Sequence, residues 1–116
     1  AAASPLPSRP PYATWERRSL GASVGGPLLT RWQGRLVVGG RKTTADRGPK
    51  TSLAWLDDAR LDEFAELPSG GDCSYPGLVE LRDGRALVSW YSSHEKDDAG
   101  TPITAIYLAE LELATP

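Results

Sequence analysis

Gly26–Arg41 reads GPLLTRWQGRLVVGGR and Pro76–Tyr91 reads PGLVELRDGRALVSWY. Laid over each other, the two stretches put Gly34-Arg35 on Gly84-Arg85 at an offset of fifty residues. Each half of each stretch is rich in Leu, Val and Trp, and an X-Gly pair (Gln33-Gly34, Asp83-Gly84) interrupts it where a tight hairpin turn belongs. The spacing therefore predicts hairpins of Leu28–Trp32 with Arg35–Gly40 and of Leu78–Leu81 with Arg85–Tyr91. Beyond them, TSLAWLD (Thr51–Asp57) lines up with TAIYLAE (Thr104–Glu110), so the second unit carries a loop about three residues longer.

Thr51–Leu56 supplies a third strand to the first unit and Glu63–Leu67 a fourth. The second unit has three: Gly77–Leu81, Arg85–Tyr91 and Ile103–Leu113. Ile103–Ala109 is apolar on both faces, as a covered strand is, and Ala109–Leu113 then alternates. LDDARLDEFAEL (Leu56–Leu67) is the chain's best helical candidate and competes with the fourth strand. Repeats of 40 to 50 residues holding several short strands are the mark of β-propeller blades. The expected fold is all-β: about two four-stranded antiparallel blades, 26–70 and 71–116, of an incomplete ring. A propeller needs roughly four to eight blades, so the chain reads as a piece. Tyr12–Leu20, within 12–25, is expected as the outer strand of a preceding blade, or as cover for the open edge at Ile103–Leu113. Residues 1–11, with four prolines, read as an extended linker.

At 116 residues, 40% apolar and 24% charged, the chain has the composition of one globular domain. A net charge of −2 gives no basic field for nucleic acid or an anionic membrane, and no apolar run approaches the roughly 20 residues of a membrane span. One cysteine, Cys73, precludes an internal disulfide and a Cys-rich metal site; one histidine, His94, leaves His-based zinc sites unsupported. No metal or cofactor is expected. The start, AAASPLPSRPP, has neither an initiating Met nor a signal-type apolar run, and the missing blades or self-association are expected to supply its partners.

GGDCSYPG (Gly70–Gly77) holds the candidate functional residues. Its glycines and Pro76 serve a turn, which explains neither Tyr75 nor Asp72, and loops on a rigid scaffold are where binding groups gather. Tyr75 is either a candidate nucleophile or a strand-start aromatic; as a phenol near pKa 10 it needs a neighbouring base. Asp72 is either a cleft acid or a turn residue. His94 can polarise a hydroxyl or close a loop, Cys73 is a small packing residue, and most of the four tryptophans belong to packing.

The ordered set GGP (Gly25–Pro27), GRLVVGGR (Gly34–Arg41), TSLAWLD (Thr51–Asp57), LPSGGDCSYPGLV (Leu67–Val79), WYSSHE (Trp90–Glu95) and AIYLAELEL (Ala105–Leu113) resembles the C-terminal third of sialidase-superfamily six-bladed propellers, over about residues 19–113. The resemblance implies a glycoside hydrolase acting on terminal sugars, a tyrosine nucleophile, an arginine clamp on a substrate carboxylate, and a secreted or periplasmic setting. Carried onto this chain it makes Tyr75 the nucleophile, Arg41 the carboxylate-gripping arm, and Asp72 and His94 substrate-binding residues. No S-x-D-x-G-x-T-W "Asp box" occurs, and the acid/base aspartate and remaining arginines of that family are not matched. A non-catalytic glycan- or protein-binding propeller is the alternative.

Overall fold

A computed structural model of the chain describes residues 10–114, so most of the expected linker, residues 1–9, lies outside the described residues. Seven strands follow in order: β1 (Gly25–Trp32), β2 (Arg35–Thr44), β3 (Gly48–Asp57), β4 (Arg60–Leu67), β5 (Ser74–Glu80), β6 (Ala86–Lys96) and β7 (Pro102–Leu111). They make two antiparallel sheets, β1-β2-β3-β4 and β5-β6-β7. No helix occurs among the described residues, so Leu56–Leu67 takes the strand alternative, as the end of β3, a turn and β4.

The strands exist because their apolar residues recur at the period of a pleat. In β6, Ala86, Val88, Trp90 and Ser92 are buried while the residues between them are half-exposed. In β2 four consecutive residues, Val37–Gly40, are buried, which requires cover on both faces. The second sheet covers one. On the other, Val24 lies so close that a Cβ on Gly40 would fall 2.5 Å from its Cγ1.

The core sits between the sheets. Trp32, Val37, Leu53, Trp55 and Leu67 of the first pack with Ala86, Val88 and Trp90 of the second, each large side chain contributing roughly 1.5–3 kcal/mol by leaving water. Two indoles satisfy their N–H groups across this boundary: Trp32 Nε1 donates to Gly84 O (2.7 Å) in the second sheet's turn, and Trp90 Nε1 to Pro68 O (3.0 Å) beyond β4. Trp32, Trp55 and Trp90 are thus the packing residues the sequence implied, while Trp15 is 74% exposed.

Two findings refine the repeat. The first hairpin closes on Trp32 opposite Arg35, with Gln33 and Gly34 in its turn; in the second, Leu81 N donates to Arg85 O, leaving Arg82, Asp83 and Gly84. The extra residue makes the offset 49 before the turn and 50 after it. Tyr12–Leu20 runs as irregular chain with no strand pairing. Its Arg18 instead meets Asp58 in the β3–β4 turn at 2.9 Å, on the first sheet and away from β7.

Candidate functional site

The corrected offset brings out a feature shared by the two first strands. Gly25 pairs with Arg41 and Leu28 with Gly39, so Gly26-Pro27 bulge opposite Gly40. Ser74 pairs with Tyr91 and Gly77 with Ser89, so Tyr75-Pro76 bulge opposite Trp90. The same bulge thus occurs twice, and bulges re-aim side chains beside binding sites. Its first residue is left-handed in both copies, Gly26 at φ 54° and Tyr75 at φ 50°. Glycine adopts that conformation without penalty, whereas a bulky residue there is strained, and such strain clusters at functional positions.

The two bulges are joined. Ser74 Oγ, fully buried, donates to Gly25 O at 2.7 Å, with Gly26 O at 3.2 Å. A side chain at either glycine would displace a neighbour: an added Cβ would lie 2.7 Å from Arg41 Nη2 at Gly25, pushing the guanidinium aside, and 2.5 Å from Ser74 Oγ at Gly26. The two glycines therefore leave room for the arginine and the serine that fasten this end of the sheets together.

Around that junction stand Arg41, Asp72, Tyr75 and Tyr91. Half-buried Arg41 donates through Nη1 to Cys73 O at 3.3 Å, and among the described residues no carboxylate forms a salt bridge with it. Tyr75 is 69% exposed and its ring stacks on that of Tyr91, centroids 5.8 Å apart and planes at 25°. The Tyr91 hydroxyl donates to Asp72 Oδ1 at 2.6 Å. That hydrogen bond holds the Tyr91 phenol above its ordinary 10.0, with desolvation and the carboxylate's charge adding to the rise and the Arg41 cation opposing it. Asp72 is itself positioned through its backbone, its carbonyl accepting from Ser93 Oγ at 2.9 Å.

Three of the four residues singled out from sequence, Arg41, Asp72 and Tyr75, therefore gather at one end of the sheets. His94 takes its contacts elsewhere. Its Nδ1 lies 2.8 Å from Ser92 Oγ, and its ring rests on Tyr107 at 4.7 Å, the Tyr107 hydroxyl donating to Glu95 at 2.5 Å. Cys73 is fully buried and free. Among the described residues no group of three or more His, Cys, Asp or Glu side chains is placed to hold a metal.

Sequence reasoning missed Tyr91 and Ser74. The signal for Tyr91 was present, since the offset of fifty superposes Tyr91 on Arg41. The two units therefore present a cation and a phenol from the same place, each opposite the residue that precedes the bulge. Chemically the cluster offers a guanidinium that has no carboxylate partner among the described residues and is of a kind suited to a planar anion, an exposed aromatic face, and a phenol already bonded to a carboxylate. Comparisons with protein-family models, with curated proteins and with solved structures return no match for this chain.

Proposed function

We propose that the Arg41–Asp72–Tyr75–Tyr91 end binds the terminal, carboxylate-bearing sugar of a glycoside, and that the two sheets are two blades of a sialidase-like propeller hydrolase. The observation that carries this reading is Tyr75, exposed, held left-handed, and stacked on a tyrosine whose hydroxyl is bonded to an acid. Arg41 supplies two parallel N–H donors to the carboxylate. The Tyr75 ring supplies an apolar face to the pyranose.

The reading assigns the tyrosine roles by the base each phenol meets. A phenol becomes a nucleophile when a base takes its proton as the new bond forms, and Asp72 is bonded to Tyr91 rather than to Tyr75. Tyr91 with Asp72 is therefore the nucleophile–base pair, and Tyr75 the platform beside it. Proton delivery to the leaving group lies outside these four residues.

A second reading, a non-catalytic glycan-binding module, is favoured by one observation: the one carboxylate of the cluster, Asp72, is bonded to the Tyr91 hydroxyl, which leaves none of the four residues to protonate a leaving group. The test is turnover of a panel of fluorogenic glycosides, sialoside included, together with calorimetric binding of the free sugars, for the parent, Tyr91→Phe, Tyr75→Phe and Arg41→Met. Loss of turnover with binding retained in Tyr91→Phe supports the hydrolase and the assignment above; the same result in Tyr75→Phe alone moves the nucleophile to Tyr75. Binding without turnover, weakened at least tenfold by Arg41→Met, leaves the binding module. Neither binding nor turnover with any sugar overturns both.

A further inference from the structure

Between the end of β4 and the start of β5 the chain belongs to neither ladder, so the backbone that carries Asp72 takes its order from other contacts. For the Gly70–Asp72 stretch these come from one place on β6. The pairing of β6 with β7 slips between Ser92 and Glu95, so that Ser93 and His94 bulge opposite Thr104. Gly70 N donates to Ser92 Oγ at 3.0 Å, Ser93 N to Gly70 O at 3.2 Å, and Ser93 Oγ to Asp72 O at 2.9 Å. The approach is close: a Cβ added to Gly70 would meet His94 Cβ at 3.3 Å, and one added to Gly71, at φ 61°, would meet Ser93 Cβ at 3.4 Å. A bulge gives up regular ladder pairing, and this one gains a seat for the Asp72 loop.

Proton counting orders the rest. Ser93 Oγ also lies 2.8 Å from Thr104 Oγ1. A serine hydroxyl has a single hydrogen, and the Asp72 carbonyl takes it, so Thr104 is the donor to Ser93. A directed chain results, from Thr104 O–H to Ser93 Oγ and from Ser93 O–H to Asp72 O, while the Tyr91 hydroxyl donates to the carboxylate of the same aspartate at 2.6 Å. Hydrogen bonds in series polarise and strengthen one another. Tyr91 and Ser93, alternate residues of β6, therefore grip Asp72 at both of its acceptors.

We propose that Ser93, oriented by Thr104, is the positioning residue that sets Asp72 against the Tyr91 hydroxyl. The inference deepens the hydrolase reading and rests on it for its catalytic consequence. In that reading Asp72 is the base, and a reacting group displaced by about 1 Å costs on the order of 10²-fold in rate.

The experiment replaces the four tyrosines with 3-fluorotyrosine and follows each phenol's ionisation by fluorine NMR, Tyr91→Phe and Tyr107→Phe identifying two of the signals. The hydrogen bond to Asp72 holds the Tyr91 phenol up, and Asp72→Asn, which removes the charge, measures by how much. Ser93→Ala is expected to lower the Tyr91 midpoint by the larger part of that fall, Thr104→Val by a smaller part, and Ser93→Thr, which keeps the hydroxyl, to leave it near the parent. Tyr107, held up by its own hydrogen bond to Glu95, is expected not to move, whereas a general loosening of the sheet would release both phenols. A Tyr91 midpoint unmoved by Ser93→Ala or by Asp72→Asn, or a Tyr107 midpoint that falls alongside it, overturns the proposal. Should Ser93→Ala fail to fold, Thr104→Val decides, since it changes an exposed side chain for one of the same shape: a lowered Tyr91 midpoint is expected, and an unmoved one overturns the proposal. Turnover keeps the two failures apart. With any glycoside that the parent cleaves, Ser93→Ala is expected to lower kcat by about tenfold to a hundredfold at little-changed KM, and an unchanged kcat overturns the positioning role. If the parent cleaves none, the hydrolase reading fails, and the Tyr91 midpoints alone decide whether Ser93 sets Asp72.

Discussion

Gly26 and Tyr75 occupy one place in two copies of the same bulge, and only one of them is suited to it. The left-handed conformation costs an ordinary L-residue about 1–2 kcal/mol, a cost Gly26 avoids and Tyr75 bears. Against it stands the Tyr75–Tyr91 stack, of a kind worth about 0.5–1.5 kcal/mol, for a side chain that is mostly exposed. These terms nearly cancel, so Tyr75→Gly is expected to stay within about 1 kcal/mol of the parent in urea unfolding while losing sugar binding. A loss of roughly 3 kcal/mol or more, the scale of a buried aromatic, would make Tyr75 a structural residue and remove the reason to read strain as function. At this scale the sequence singled out Tyr75 because turn chemistry does not call for it, Arg41 only through the family resemblance, and Asp72 as a residue that a turn explains as well as a cleft does. It told little about Tyr91, because a tyrosine ending an apolar strand is explained by packing until the hydrogen bond to Asp72 is seen.

At the scale of elements, legibility followed turn chemistry. Gln33-Gly34 and Asp83-Gly84 announced their hairpins, and the strands beside them were placed within a few residues. The β3–β4 turn is built on Asp58 and Ala59, at φ 47° and 64°, so both central residues are left-handed, yet no glycine marks it. That is why Leu56–Leu67 also read as a helix and why β4 was expected to start at Glu63 instead of Arg60. The same fact makes a prediction. An Asp-Gly pair is the preferred occupant of a turn with two left-handed residues, and removing the Ala59 Cβ relieves about 1–2 kcal/mol of conformational penalty against roughly 0.5–1 kcal/mol of added freedom in the unfolded chain. Ala59→Gly is therefore expected to stabilise the protein by about 0.5–1 kcal/mol, read from the midpoint of urea unfolding at unchanged slope. A drop in that midpoint would mean that the methyl group contributes packing the turn geometry does not reveal.

Across the whole molecule, the question is whether two sheets with separate strand ladders behave as one unit. The ladders are independent, but the core is not: Leu53 is fully buried in the first sheet, and a Cβ added to Gly39 would lie 2.7 Å from Leu53 Cδ2 and 3.0 Å from Pro76 Cγ of the second. Leu53 thus stands at the seam where the sheets meet. Leu53→Ala removes apolar contact and leaves a cavity, a change that costs about 2–5 kcal/mol in a close-packed interior. If the seam holds the molecule together, that cost is global, and amides of β6, which never touch the β3 ladder, lose protection from hydrogen exchange by the same factor as those of β3. Circular dichroism and tryptophan fluorescence should then report one coincident transition, shifted but not split. Protection unchanged in β6 with β3 weakened would show that each sheet stands alone. In that case the Ser74 hydroxyl and the two cross-sheet indole bonds would align the sheets without coupling their stability, and the Arg41–Tyr91 site, which draws residues from both, would open without the chain unfolding.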